Sequence, residues 1–197
     1  YLAGNPADPR EGNGLFNGQY AAAVQLGFRP ADSFRFGVSY AYDYLGTPVG
    51  GMANVNTGFN KNASHNVGVQ GTWRISKNVN LAAWYGWTSV DDPSRDNSEA
   101  TYNNFNATFS FIDLGKEGAV LNIGGGMLPS ATRVQRPNGR SINSIDQSWI
   151  IEGNYKYPVT KNISITPGVY AIFNPNGGTG PNDDTVVVGV LRTVFSF

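Results

Sequence analysis

A strict two-residue alternation of apolar and polar side chains, held over two long runs joined by a tight turn, constrains this chain more than any other feature. Between Gln19 and Pro30 the even positions are Tyr20, Ala22, Val24, Leu26 and Phe28, and the odd ones Gln19, Ala21, Ala23, Gln25, Gly27 and Arg29. After Pro30-Ala31-Asp32 the pattern resumes. Phe34, Phe36, Val38, Tyr40, Tyr42 and Tyr44 share one face, and Ser33, Arg35, Gly37, Ser39, Ala41 and Asp43 the other. Period two belongs to a strand, and two such runs about a tight turn form an antiparallel hairpin. The runs are about twice the usual strand length. They match the roughly 9–11 residues with which a tilted strand crosses a bilayer. The apolar face ends in aromatics, as lipid-facing strands do at headgroup level.

Composition is needed to exclude the alternatives. No apolar run approaches the ~18 residues of a transmembrane helix, and glycine (25 residues) and asparagine are abundant. The chain therefore reads as all-β. With 40% hydrophobic residues, a mean hydropathy of −0.29 fits a barrel, because half of each strand faces a polar interior. The formal net charge of zero argues against a nucleic-acid partner. The absence of cysteine excludes disulfide staples and thiolate metal sites, and fits export. No signal peptide is present, and the abrupt start at Tyr1 reads as a processed chain or a fragment.

Taken in order, Tyr1–Ala3 reads as the end of a strand, and residues 4–18 as a loop. The opening hairpin follows, and residues 46–64 form a long Gly/Asn loop. Further strands are expected over 65–76, 79–89, 99–113, 119–128, 147–158, 162–174 and 185–197. Gly124-Gly125-Gly126 marks a bend or a close approach, and Pro167 a bulge. Residues 129–145 read as a long loop, basic through Arg133, Arg136 and Arg140. Short turns alternate with long excursions, as periplasmic turns and extracellular loops do in outer-membrane barrels. The count is nine strands after the stub at Tyr1–Ala3. Single-chain bacterial barrels have even strand numbers, so the stub is expected to end a tenth strand, with more upstream. The chain alone is not expected to close. Val194-Phe195-Ser196-Phe197 resembles the terminal strand by which such barrels are recognised for assembly, although Arg192 stands at its usual glycine position.

The run YLAGNPADPREGNGLFNGQYAAAVQLGFRPAD resembles the porins of cyanobacterial outer membranes, in the carbohydrate-selective (OprB-like) superfamily. EGNGLFNG followed by QYAAAVQLGF is its most specific part, and the likeness continues through NVNLAAWYGWT to Phe197. The resemblance implies the C-terminal part of an antiparallel up-and-down transmembrane barrel of about 16 strands, preceded by an S-layer-homology segment. It implies an outer-membrane location and passage of small solutes and inorganic ions, some relatives being described as iron-uptake porins. Its implied partners are lipid, a cell-wall polymer held through the upstream segment, and further copies of the chain. It implies no catalytic residue and no cofactor.

If the polar parity faces a lumen, the expected pore-lining residues are Gln25, Arg29, Arg35, Arg74, Asn80, Glu152, Lys156 and Arg192. The five cations each fall within about five residues of a short turn or the C-terminus, and a strand rises about 3.3 Å per residue. They form an inner basic band, which favours anions. The competing reading is snorkelling or rim residues paired with Asp32, Asp43 or Glu152. Asp8, Glu11, Asp91, Asp92, Asp96, Glu99, Asp183 and Asp184 make the outer rim acidic. Residues 91–99 hold enough oxygens for calcium, but the spacing fits no standard calcium loop. His65 is the one histidine, and its neighbour Ser64 faces the other way on a strand. A barrel hydrolase is therefore the weaker alternative, and a plugged structural or adhesive barrel the other. The glycine run is not a phosphate loop, since no helix or Lys-Ser/Thr follows.

Overall fold

The computed structural model describes residues 18–44, 57–142, 146–175 and 184–196. The expected strand end at Tyr1–Ala3, the loop residues 4–17, 45–56 and 176–183, the rim acids Asp8, Glu11 and Asp183, and Phe197 lie outside them.

Regular structure in the described residues is entirely β. The strands are β1 (Tyr20–Ala31), β2 (Phe34–Tyr44), β3 (Ala63–Arg74), β4 (Val79–Asp91), β5 (Glu99–Ile112), β6 (Val120–Gln135), the two-residue β7 (Ser141–Ile142), β8 (Trp149–Pro158), β9 (Ile163–Phe173) and β10 (Val186–Phe195). They form one antiparallel up-and-down sheet in the order β1-β2-β3-β4-β5-β6-β8-β9-β10, with β7 paired to β6. Among the described residues β1 and β10 each pair on one side only, so the sheet these residues form is open. The nine long strands are those read from the alternation, and the long–short loop rule holds except that residues 92–98 and 113–119 make connections of equal length.

The short turns are held by backbone pairing and a few polar side chains. Asn78 donates its side-chain amide to Ile112 O at 2.9 Å, while Ile112 N donates to Asn78 O at 2.8 Å. Between β5 and β6 the Asp113 carboxylate accepts from Gly118 N at 2.7 Å, where a φ of 79° suits glycine.

Three expectations are corrected. Pro167 makes no bulge: β9 keeps one register against β8 and β10. The bulges lie elsewhere, and two of them take prolines. In β1, Arg29 and Pro30 together oppose Arg35. In β6, Leu128 and Pro129 together oppose Asn104, and Thr132 is a second extra residue. A bulge tolerates proline because its residues already fall out of the ladder. The second correction follows. Residues 129–135 are strand rather than loop, because the bulge lets β6 run past Pro129 beside β5. The third concerns Arg29. It lies in the β1 bulge and pairs with Asp32 at 2.7 Å, so it does not belong with the unpaired cations.

Directly opposed residues in a sheet share a face, so the registers trace both faces across the strands. One row runs Leu26–Val38–Val69–Tyr85–Phe105, and another Phe34–Trp73–Leu81–Phe109. On the far side the same face carries Ile151, Val169 and Leu191. These side chains are exposed: Leu26 by 60%, Ile151 by 56% and Leu191 by 71%. Aromatics gather at both ends of this face. Tyr20, Tyr42, Tyr44 and His65 cluster at the long-loop end, and Phe28, Phe34 and Phe36 at the short-turn end. Phe34 to Tyr44 is a rise of about 33 Å along the strand, which a tilt near 40° projects to about 25 Å.

Candidate functional site

The opposite face is polar over β1–β5. One row reads Gln25–Ser39–Gly68–Gly86–Asn104. The next runs Gly37–Gln70–Trp84–Asn106, the one after it Arg35–Thr72–Ala82–Thr108–Gly124–Glu152, and the last Arg74–Asn80–Ser110–Asn122–Asn154. Lys156 lies opposite Val120, and Arg192 opposite Thr166. The register thus brings Gln25, Arg35, Arg74, Asn80, Glu152, Lys156 and Arg192 onto one face. Toward β10 its polarity weakens through Ile150, Ile172, Val186 and Val188.

Arg35, Arg74, Lys156 and Arg192 all stand near the short-turn end and have no ion-pair partner among the described residues. Glu152 shares a row with Arg35 but lies five strands away, about 24 Å at the usual strand spacing. It sits four residues from Lys156 along β8, about 13 Å. Neither separation makes a salt bridge. Several polar side chains are fixed by cross-strand bonds: Asn122 donates to Asn154 at 2.9 Å, and Thr88 to Asn66 at 2.7 Å. Oxygens of Asp43, Asn80 and Asn104 without a protein partner also lie on this face.

At the long-loop end the same face is covered. Val90, Ala100, Tyr102, Ala131 and Val134 form a buried apolar cluster, with Phe59 and Ile142 packed against it. The extra residue Thr132 brings Ala131 and Val134, three residues apart, onto one face. Phe59 comes from the β2–β3 loop and Ile142 from β7, so two loop segments fold down over the sheet. Asp92 clamps the first of them. Its carboxylate accepts from Asn60 N at 2.8 Å, and from Ser94 N and Oγ at 2.9 and 2.5 Å. Arg95 donates to Gly58 O at 3.3 Å. Burial pushes the Asp92 carboxyl up, but bonds from Ser94, Asn60 and Lys61 outweigh it and hold it below the usual carboxylate range. Of the oxygens considered for calcium, those of Asp92 are engaged by the protein's own loops. This cover was missed in the sequence. Its one signal is Phe59, a bulky apolar residue inside a Gly/Asn loop.

His65 lies on the apolar face, bonded to Tyr40 Oη at 2.8 Å, while Ser64 is buried on the polar face. The two do not meet. Gly124-Gly125-Gly126 is a close approach: a Cβ at Gly126 would collide with the Phe105 carbonyl, and one at Gly125 would lie 2.9 Å from Ile150 O.

One residue departs from the character of its surroundings. Trp84 stands on the polar face, 46% exposed, opposed by Gln70 on one side and Asn106 on the other. It borders a cleft of about 350 Å³ toward the short turns, with Gln25, Arg35, Gly37, Gln70 and Thr72. On its other side a groove of about 420 Å³ is lined by Ser39, Gly68, Gly86 and Asn104.

A family model described as carbohydrate-selective porin, OprB family, matches residues 3–197. An uncharacterised protein of Nostoc sp. is 32% identical over 211 residues, which span all of this chain and 35% of that protein. An uncharacterised protein of Synechocystis sp. is 31% identical over 227 residues, spanning all of this chain and 40% of that one. The chain thus spans well under half the length of these relatives. No solved structure matches it.

Proposed function

Because the chain belongs to the carbohydrate-selective porin, OprB family, we propose that it forms part of an outer-membrane barrel through which small hydrophilic solutes and inorganic ions diffuse passively. In this reading the apolar face meets lipid and the polar face lines the pore. The observation that carries it is the separation of faces: one register joins exposed Leu26, Val38, Val69 and Tyr85 on one side and Gln25, Ser39, Gly68 and Asn104 on the other. Lipid offers no partner to an unpaired strand edge. The free edges of β1 and β10 therefore take further strands of the whole protein. Oxygens of Asp43, Asn80 and Asn104 that lack a protein partner fit a wet lumen, where water satisfies them.

The covered long-loop end narrows the outer mouth, and it favours one rival, a barrel whose lumen is plugged. Planar-bilayer recording on the full-length protein separates the two. A pore gives ohmic single-channel steps that grow with salt concentration. A protein that inserts, shows heat-modifiable mobility and conducts nothing is a structural barrel instead.

A further inference from the structure

Trp84 is the one large aromatic on the polar face of β1–β5 among the described residues, apart from the buried Tyr102. A tryptophan that only fills space is covered by its neighbours. This one is flanked by residues that take space away from nothing: Gly37 lies beyond Gln70 in its own row, and Gly68 and Gly86 occupy the next. Polar side chains lie over those glycines. A Cβ at Gly37 would meet the side-chain amide nitrogens of Gln25 at 3.3 Å and Gln70 at 3.5 Å. A Cβ at Gly68 would meet Ser39 Oγ at 2.7 Å, and one at Gly86 would collide with the Asn104 side chain. Two amide groups thus converge above Gly37, between the Trp84 ring and Arg35, around one cleft. Arg35 is exposed and has no carboxylate partner among the described residues.

The geometry points to a solute subsite for a ring-shaped, hydroxylated anion, a cyclic sugar carrying a carboxylate. The indole face takes the apolar face of the ring. The Gln25 and Gln70 amides each offer a donor and an acceptor to vicinal hydroxyls. The Arg35 guanidinium takes the carboxylate in the two-bond geometry that a planar fork favours. The subsite rests on the pore reading, because only a polar face turned to the lumen meets a diffusing solute. It adds a preference that the family description does not state, for acidic over neutral sugars.

The test uses the full-length protein in planar bilayers at constant ionic strength, with partial block of the open-channel current as the readout. Three probes separate the contributions: glucuronate has ring and charge, glucose the ring alone, gluconate the charge alone. In the wild type, glucuronate is expected to block at the lowest concentration of the three. Trp84→Ala should weaken block by both ring sugars roughly three- to tenfold, the range of an aromatic contact. Arg35→Gln should abolish the advantage of glucuronate over glucose, a loss of about tenfold or more, while glucose block persists. Trp84→Phe should restore part of the ring-sugar block, which a purely structural role for the tryptophan does not predict. Unchanged block in Trp84→Ala channels, or equal block by glucuronate and glucose in the wild type, overturns the subsite while leaving the pore intact. Absence of any conductance overturns both readings together.

Discussion

At the scale of single residues, two positions set the shape of the covered end. Gly126 faces the Phe105 carbonyl so closely that no Cβ fits, and it stands two residues before the bulge at Leu128-Pro129. Gly126→Ala is expected to destabilise by about 1–3 kcal/mol, as overpacking does. Thermal unfolding in detergent checks this, with Gly27→Ala as control, since nothing lies within 4 Å of a Cβ there. Asp92 anchors residues 57–62. Asp92→Ala leaves the Asn60 amide without its acceptor, a loss of about 1–3 kcal/mol, and protease cleavage of the β2–β3 loop should rise. The pH dependence follows from the direction of the shift. The folded carboxyl titrates below its unfolded value of 3.8. Its contribution is therefore complete above that value and is lost as pH falls through the lower folded pKa. Loop protection should hold at pH 5 and fall away only on acidification well below 4. Loss of protection already near pH 5 would show that Asp92 is not the clamp.

At the scale of strands, the pattern that names the fold also makes it testable. A one-residue slip exchanges the two faces, so the assignment of Leu26 and Gln25 stands or falls with the register of β1 on β2. An arginine at the bilayer midplane costs roughly 2–4 kcal/mol on a lipid-facing site and far less in a lumen. Leu26→Arg is expected to fold poorly in bilayers while Gln25→Arg folds as the wild type does; equal folding yields would refute the facing. The nine long strands were legible because alternation is a local property, written into each run from Tyr20 to Arg192. The bulges were not. Pro167 and Pro129 look alike as letters, and only pairing partners decide which falls out of the ladder: Pro167 stays in register with Leu191, while Pro129 has no partner on β5. The cover over the long-loop end was equally hidden, because Phe59 reaches the cluster of Val90, Ala100, Tyr102, Ala131 and Val134 only after the chain has folded. Five cations on one parity were visible in sequence, with pairing to Asp32 as the competing reading; the structure shows that pairing for Arg29 alone of the five.

At the scale of the whole molecule, charge along the face decides what a pore through this sheet prefers. Arg35, Arg74, Lys156 and Arg192 stand at one end of the polar face without carboxylate partners among the described residues, and Glu152 lies too far from Arg35 to offset it. At the other end Asp91, Asp92, Asp96 and Glu99 remain, but Asp92 is buried and committed to its loop. Four uncompensated cations beside a low-dielectric wall raise the local anion concentration and repel cations. The attraction is screened as the Debye length falls from about 10 Å at 0.1 M salt to about 3 Å at 1 M. The full-length protein is therefore expected to show a reversal potential of anion-selective sign under a dilute potassium chloride gradient, shrinking as both baths are concentrated. Arg35, Arg74 and Arg192 changed together to Gln should move it toward zero or to the cation side. Arg29→Gln and Asp32→Asn made together should leave it nearly unchanged, because the pair they remove is neutral. An equal shift from the paired change at Arg29 and Asp32, or none from the triple change at low salt, would mean that selectivity is set by charges on other strands of the barrel.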